Sequence, residues 1–330
     1  MHHLEKAGNG LATEREFSSE FERDVYKGLS AHPKWLSSKY FYNEVGDRIF
    51  QEIMNMEEYY LTDAEMNIFK DQKDDIREAI SGESQFRLIE LGAGDGTKTK
   101  VLLDHFVRNQ VNFSYHPVDI SSHVLDLLEE SLKKDIPGLN IQPRVGDYFN
   151  VLSELSIEND MRNVIFFLGS NIGNFSYEVA LDFLKSIRSH LHKDDILIIG
   201  IDLKKDPSKI LNAYNDEKGI TKRFNLNLLD RINDEMGADF SKEKFKHYPV
   251  YDPISGECRS YLLSTEEQQV RIDSLDETFH FNKWEPIFME VSTKYNPEEI
   301  AEIAGRCGFD NTMNFYENEI GFVDSLWTAI

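Results

Sequence analysis

The stretch that most constrains this chain is Phe-Arg-Leu-Ile-Glu-Leu-Gly-Ala-Gly-Asp-Gly at 86–96. An apolar run carries the acidic Glu90 near its end and then breaks into three alternating glycines, Gly92, Gly94 and Gly96. Residues 97–103 resume with helical spacing. A buried strand, a glycine turn and a helix start are the usual cradle for a nucleotide-like ligand: glycine allows the tight turn, and the first helical amides have no partner inside the helix. The dinucleotide fingerprint sets its third glycine three positions after the second. Here the gap is two, which disfavours a nicotinamide oxidoreductase.

Beyond the turn, short apolar segments alternate with helical ones. Residues 112–119 read as a strand ending in Asp119, and Ser121 then caps a helix bearing Val124, Leu125, Leu127 and Leu128. Residues 139–148 supply a third strand ending near Asp147, 164–168 a fourth that breaks at Gly169, and 196–201 a fifth, with a helix over 175–191. This alternation predicts an α/β fold with a parallel sheet covered on both faces. Such sheets bind ligands at the carboxyl ends of their strands, where Glu90, Asp119, Asp147 and the 169–174 loop all fall.

The flanking regions follow other patterns. Phe17, Phe21 and Tyr26 are spaced for an amphipathic helix, and the aromatic-rich segment 33–42 reads as an anchor for the amino-terminal arm. A helix is expected over 45–56, and Thr62-Asp63-Ala64-Glu65 has the form of a capping box. Between 202 and 295 the alternation stops. Helical stretches at 210–214 and 224–236 precede strand-like runs at 245–251, 259–263, 270–272 and 287–291, which read as an inserted α+β substrate domain. A helix over 297–307 and a strand over 322–330 close the chain. The expected division is 61–204 with 294–330 as one domain, and 1–60 with 205–293 as the other.

A net charge of −23 over 330 residues repels phosphate backbones and anionic lipid, so nucleic acid is disfavoured and a small zwitterionic substrate suits better. Cys258 and Cys307 stand alone, which argues against a disulfide framework and for a reducing cytoplasm. No apolar run is long enough to span a bilayer, the amino terminus lacks a hydrophobic signal core, and His2-His3 is not a metal site. The ten histidines lack ligand spacing, so no metal is expected. The chain is expected to be a monomer.

The glycine spacing resembles the S-adenosyl-L-methionine (SAM) loop of class I, Rossmann-like methyltransferases. SAM needs an acid for its ribose diol, which Asp119 offers, although an isolated aspartate there would more simply be a turn or cap residue. Asp147 is placed to accept from the adenine amino group, with Tyr148 against the ring. Lys98, in the first helical turn, is placed to reach a carboxylate; a solvated lysine is the commoner fate. Methyl transfer from a sulfonium needs placement and an unprotonated nucleophile more than covalent help. That matches a chain without a serine triad or cysteine–histidine pair.

A fuller likeness comes from several motifs in order: Glu-Leu-Gly-Ala-Gly-Asp-Gly-Thr-Lys-Thr (90–99), Pro-Val-Asp-Ile-Ser (117–121), Phe-Leu-Gly-Ser-Asn-Ile-Gly-Asn-Phe (167–175), Ala-Tyr-Asn-Asp (213–216), Phe-Asn-Leu-Asn (224–227), Gly-Ala-Asp-Phe (237–240) and Glu-Val-Ser-Thr-Lys-Tyr (290–295). With Tyr40-Phe41-Tyr42 and Glu58-Tyr59-Tyr60, the chain resembles the histidine-specific Nα-methyltransferases of ergothioneine biosynthesis over roughly 33–330. The resemblance implies cofactor contacts at Gly92, Lys98, Asp119, Asp147 and Tyr148, and a substrate pocket at Tyr59, Gly169, Asn174, Tyr214, Glu290 and Ser292. It implies that Asn174 and Tyr214 hold the substrate carboxylate, while the Gly169 carbonyl and, through water, Tyr42 meet the amine. Glu290 and Ser292 would grip one imidazole nitrogen and Tyr59 the other. By themselves, Glu290 and Ser292 read as an exposed strand face, being two apart. Where the family usually has a methionine, this chain reads Cys258-Arg259-Ser260, a smaller polar wall with a charge nearby. Histidine is the expected acceptor; tryptophan or tyrosine with the same chemistry, and a non-catalytic SAM-binding module, are the alternatives.

Overall fold

A computed structural model describes residues 16–82, 84–157 and 161–330. His2-His3 and the amino-terminal segment in which no signal core is expected lie outside the described residues. The helix Glu20–Ser30 is capped by the Ser19 hydroxyl, which accepts from Glu22 N at 3.1 Å, and it buries Phe21, Val25 and Leu29. Strand β1 (Lys34–Trp35) runs parallel to Ile287–Phe288. The aromatic segment after it does anchor: Phe41 is fully buried, 5.0 Å from the Phe224 ring centroid.

Strands β2 (Phe86–Leu91), β3 (Phe113–Asp119), β4 (Arg144–Val145), β5 (Arg162–Phe167) and β6 (Ile196–Asp202) are parallel neighbours. A second group comprises β7 (Phe245–Asp252), β8 (Glu257–Ser264), β9 (Gln268–Ile272), β10 (Glu277–Phe281) and β11 (Pro286–Thr293). The last two strands are β12 (Phe309–Glu317) and β13 (Phe322–Ala329); β13 runs antiparallel to both β6 and β12. The main sheet therefore has the order β12-β13-β6-β5-β2-β3-β4.

Alternation along the strands builds one core on each face of this sheet. Leu88 and Phe166 join the layer under the helix Leu61–Asp71, whereas Ile89, Leu91, Ile165 and Phe167 join the layer under the helix Tyr177–Ser189. A third core sits apart. There the helix Ile220–Met236 packs Phe224, Leu228 and Ile232 with Ile49, Ile53, Leu262 and Ile287, beside the sheet β1-β11-β8-β7 and the hairpin β9-β10.

The structure corrects several expectations. The third strand shrinks to the two residues of β4. Tyr115 N donates to Asn140 O and Gln142 N to Tyr115 O, both at 2.8 Å, but Pro117, the next β3 residue facing this segment, has no N–H to continue the ladder. The capping box is absent: the helix begins at Leu61 with Tyr60 as cap residue and no side-chain cap, and Glu65 is buried among other partners. Three strands were not anticipated, β1, β10 and β12. The start of β12, Asp-Asn-Thr-Met-Asn, carries little apolar alternation because it forms the sheet edge.

Candidate active site

The carboxyl ends of β2, β3 and β4 are stitched together by the backbone. Gly92 N donates to Val118 O and Gly146 N to Asp119 O, both at 3.0 Å. Gly92 has φ of +73°, and a Cβ there would lie 2.7 Å from the Tyr148 hydroxyl, so turn geometry and close approach both require glycine. Tyr148 opens the helix Tyr148–Ile157. Its phenol is pushed up by burial and by the charges of Asp119 and Asp147, which puts the two acids and the ring in one neighbourhood. Both acids also serve their own turns. Asp119 Oδ1 accepts from Ser121 N at 2.9 Å, and Asp147 Oδ1 accepts from Phe149 N at 2.9 Å. Glu90, by contrast, turns into the sheet, accepting from Thr99 Oγ1 at 2.6 Å and Tyr115 OH at 2.5 Å. Burial pushes its carboxyl up to about 7.

Lys98 meets a protein carboxylate that the sequence reading assigned elsewhere. Its ammonium pairs with Glu65 Oε2, while Glu65 Oε1 accepts from Gly169 N at 2.7 Å. One fully buried carboxylate thus joins the helix after the glycine turn to the loop after β5. Burial opposes the charge on Lys98, and Glu65 more than restores it. Asp324 of β13 is buried beside this pair; burial and the Glu65 charge keep its carboxyl neutral far above the usual range.

The second cluster lies on one face of β11. Glu290 stands directly opposite Ser260 and Ser292 opposite Cys258, so these four side chains share a face. Arg259 belongs to the other face, paired with Glu257, which corrects the expectation of a charge near the pocket wall. Tyr42 packs edge-on against Phe50 and Phe224, at 5.4 and 5.5 Å between ring centroids, and Phe50 in turn meets Tyr59 at 6.4 Å. The phenols of Tyr42, Tyr59 and Tyr214 are all pushed up, chiefly by burial and further by one another and by Glu290. Ring contacts thus link Tyr42 and Tyr59 through Phe50, and Glu290 is near enough to act on all three phenols. The Glu290 carboxyl is pushed up to about 7 by burial, with Lys294 pulling the other way.

The turn Asn171–Asn174 rests on the end of this strand: a Cβ on Gly173 would lie 2.8 Å from Thr293 O and 3.5 Å from Ser292 Oγ. Asn174, at the end of that turn, is exposed. Lys294 is fully buried and donates to Ser292 Oγ at 2.8 Å, Tyr214 OH at 2.9 Å and Asp202 Oδ2 at 2.9 Å. Sequence reasoning missed Lys294, Asp202, Glu65 and Asp324. Two of them carried a signal. Asp202 ends a strand as Asp119 does, and Lys294 continues the alternation 290, 292, 294.

A doubly wound sheet with a glycine turn and acids at neighbouring strand ends defines an α/β enzyme of the nucleoside-cofactor kind. The comparisons narrow this. The model of the SAM-dependent, histidine-specific methyltransferases matches residues 21–329. The chain is 34% identical over 283 residues to the histidine N-alpha-methyltransferase of Mycobacterium tuberculosis, covering 86% of this chain and 87% of that one. It is 33% identical to the Mycolicibacterium smegmatis protein of the same name, over 88% of this chain and 89% of that one. Ergothioneine biosynthesis protein 1 of Schizosaccharomyces pombe is 31% identical over 86% of this chain, which spans 37% of that longer protein. The chain belongs to the family of SAM-dependent histidine-specific methyltransferases, with the class I methyltransferase sheet that its motifs implied.

Proposed function

We propose that this enzyme transfers three methyl groups in succession to the α-nitrogen of L-histidine, giving the trimethylated betaine hercynine. The observation that carries this reading is Glu290 beside Ser292 on the face enclosed by Tyr42, Tyr59 and Tyr214. A carboxylate in such a place rewards an N–H donor such as imidazole, and an apolar side chain would leave it unpaired.

The cofactor end fits SAM, because Gly92 at positive φ lets the Tyr148 hydroxyl come against the turn, in the neighbourhood of Asp119 and Asp147. Gly92, Lys98, Asp119, Asp147 and Tyr148 would hold it, with Asp119 at the ribose and Asp147 and Tyr148 at the adenine. SAM supplies a methyl group already activated on a sulfonium. For the acceptor, we assign Asn174 and Tyr214 to the carboxylate, the Gly169 carbonyl and Tyr42 to the amine, and Glu290, Ser292 and Tyr59 to the imidazole. Tyr42 stays a neutral phenol, since burial and Glu290 disfavour its anion. It orients the amine and leaves the proton to solvent. We divide the chain into a cofactor unit (61–204 and 294–330) and an acceptor unit (1–60 and 205–293): the third core lies wholly in the acceptor unit, although Tyr60, Ile210, Ala213, Tyr214 and Cys258 of that unit pack into a core of the main sheet.

Incubation of the purified protein with SAM and each common amino acid, followed by product mass, tests the reading. Histidine gaining three methyl groups is expected. Because the small Ser260 faces Glu290, tryptophan or tyrosine is the second reading. Methylation of either, with none on histidine, would overturn the first.

A further inference from the structure

We propose that Lys294 is a positioning residue that fixes the hydrogen-bond direction of the acceptor pocket, forcing the Tyr214 hydroxyl to donate toward the carboxylate of the bound amino acid and leaving the Ser292 hydrogen for Glu290. The proposal rests on the acceptor assignment above.

An ammonium has three N–H donors and no acceptor. Lys294 has three partners within 2.9 Å, namely Ser292 Oγ, Tyr214 OH and Asp202 Oδ2, so its donors are fully used. Each hydroxyl that accepts from Lys294 keeps one hydrogen, which the ammonium cannot receive. Those hydrogens must point elsewhere: Ser292 lies on the face of β11 that carries Glu290, and Lys294 bridges Ser292 to Tyr214. The Tyr214 hydroxyl thereby becomes an obligate donor with a positive charge directly behind it, an arrangement suited to an α-carboxylate. Asp202 keeps the ammonium charged against its burial. It is itself braced by Lys205 at 2.5 Å and by the Tyr60 hydroxyl at 3.0 Å.

A purely structural role for the ion pair is the competing explanation, since it joins β11 to β6. The backbone already makes that join. Tyr295 N donates to Asp202 O at 3.1 Å and Lys204 N to Tyr295 O at 2.9 Å. A buried ion pair is seldom more stable than apolar residues of the same volume. The charge therefore needs a use that a methionine could not fill.

The test compares binding of L-histidine with that of histamine, which has the same imidazole and no carboxylate, to the wild type, Lys294→Met and Lys294→Arg, with SAM binding as the folding control. Loss of a hydrogen bond backed by charge predicts that Lys294→Met weakens L-histidine by about 10- to 100-fold, and by at least ~10-fold more than histamine. SAM affinity should hold, and Lys294→Arg, which keeps charge and donors, should recover part of the discrimination. Equal weakening of both ligands, or no change in either, overturns the proposal. If Lys294→Met does not fold, Lys294→Met/Asp202→Asn removes both buried charges together and the same ratio is read there. A wild type that binds no L-histidine would instead sink the acceptor assignment.

Discussion

The strand ends around Gly92 and the face of β11 are built on opposite plans. At the strand ends the chain relies on backbone: a glycine turn, free helical amides, and acids whose Oδ1 atoms already serve their own turns. All of it lies between Gly92 and Tyr148. Around β11 the chain relies on buried charge. Glu290, Lys294 and Asp202 sit among phenols held neutral by burial, and the contributors run from Tyr42 to Lys294. A backbone cradle serves a cofactor common to many reactions, whereas selection of one acceptor needs side chains whose charge is expensive to leave unpaired.

The sharpest way to break this contrast is Glu290→Ala. Truncating one partner of a buried, charge-assisted contact costs ~2–5 kcal/mol, so kcat/KM for histidine should fall about 10²- to 10³-fold while SAM binding stays within ~2-fold. Glu290→Gln addresses pH. With its carboxyl pushed up to about 7, Glu290 is a neutral acid below that pH and a carboxylate above it. Histidine affinity of the wild type relative to Glu290→Gln should therefore rise between pH 6 and 8, as titration calorimetry would read. A pH-independent ratio would remove Glu290 from the imidazole.

Gly92→Ala tests the other plan. A methyl group would meet the Tyr148 hydroxyl at 2.7 Å on a backbone with φ of +73°. SAM affinity should drop roughly 10- to 100-fold, reflecting ~1–3 kcal/mol of strain, with histidine affinity unchanged. Glu65→Gln should blur the contrast, because Glu65 holds both Lys98 and Gly169 N. Both ligands should weaken, each by no more than ~10-fold. The effect is limited because Asp324, neutral partly through the Glu65 charge, can then ionise and pair with Lys98. Glu65→Gln/Asp324→Asn should cost more than the two single changes combined.

The same division governs what could be read in advance. The glycine turn and the acids at 119 and 147 were legible because strand, turn and cap are local and each residue keeps its ordinary chemistry. Glu65 was misread because a Thr-x-x-Glu spacing looks the same whether or not the helix uses it; here Tyr60 takes the cap position and Glu65 goes to Gly169. Lys294 was missed for another reason, although alternation sets it on the face of 290 and 292. A buried lysine is tolerable only beside a partner such as Asp202, which the fold alone brings to 2.9 Å. The roles given to Glu290, Ser292 and the tyrosines came from family likeness, since alternation says which residues share a face and not whether that face is enclosed.

The smallest predicted effect concerns Arg259, whose charge the sequence suggested would stand near the acceptor. Register places it opposite Val291, between the two pairs Glu290–Ser260 and Ser292–Cys258, and therefore on the far side of the sheet. There it pairs with Glu257 while its side chain is 40% exposed. Surface pairs of this kind contribute ~0–1 kcal/mol, so Arg259→Ala should lower thermal stability slightly at most. Competition between histidine and tryptophan for methyl transfer should change by less than about 2-fold, because screened charge across a sheet has little differential effect on two zwitterions. A tenfold change in that preference would mean that β8 is out by one residue against β11. Ser260 would then leave the wall that Glu290 faces, and the acceptor pocket would have to be rebuilt around a cation.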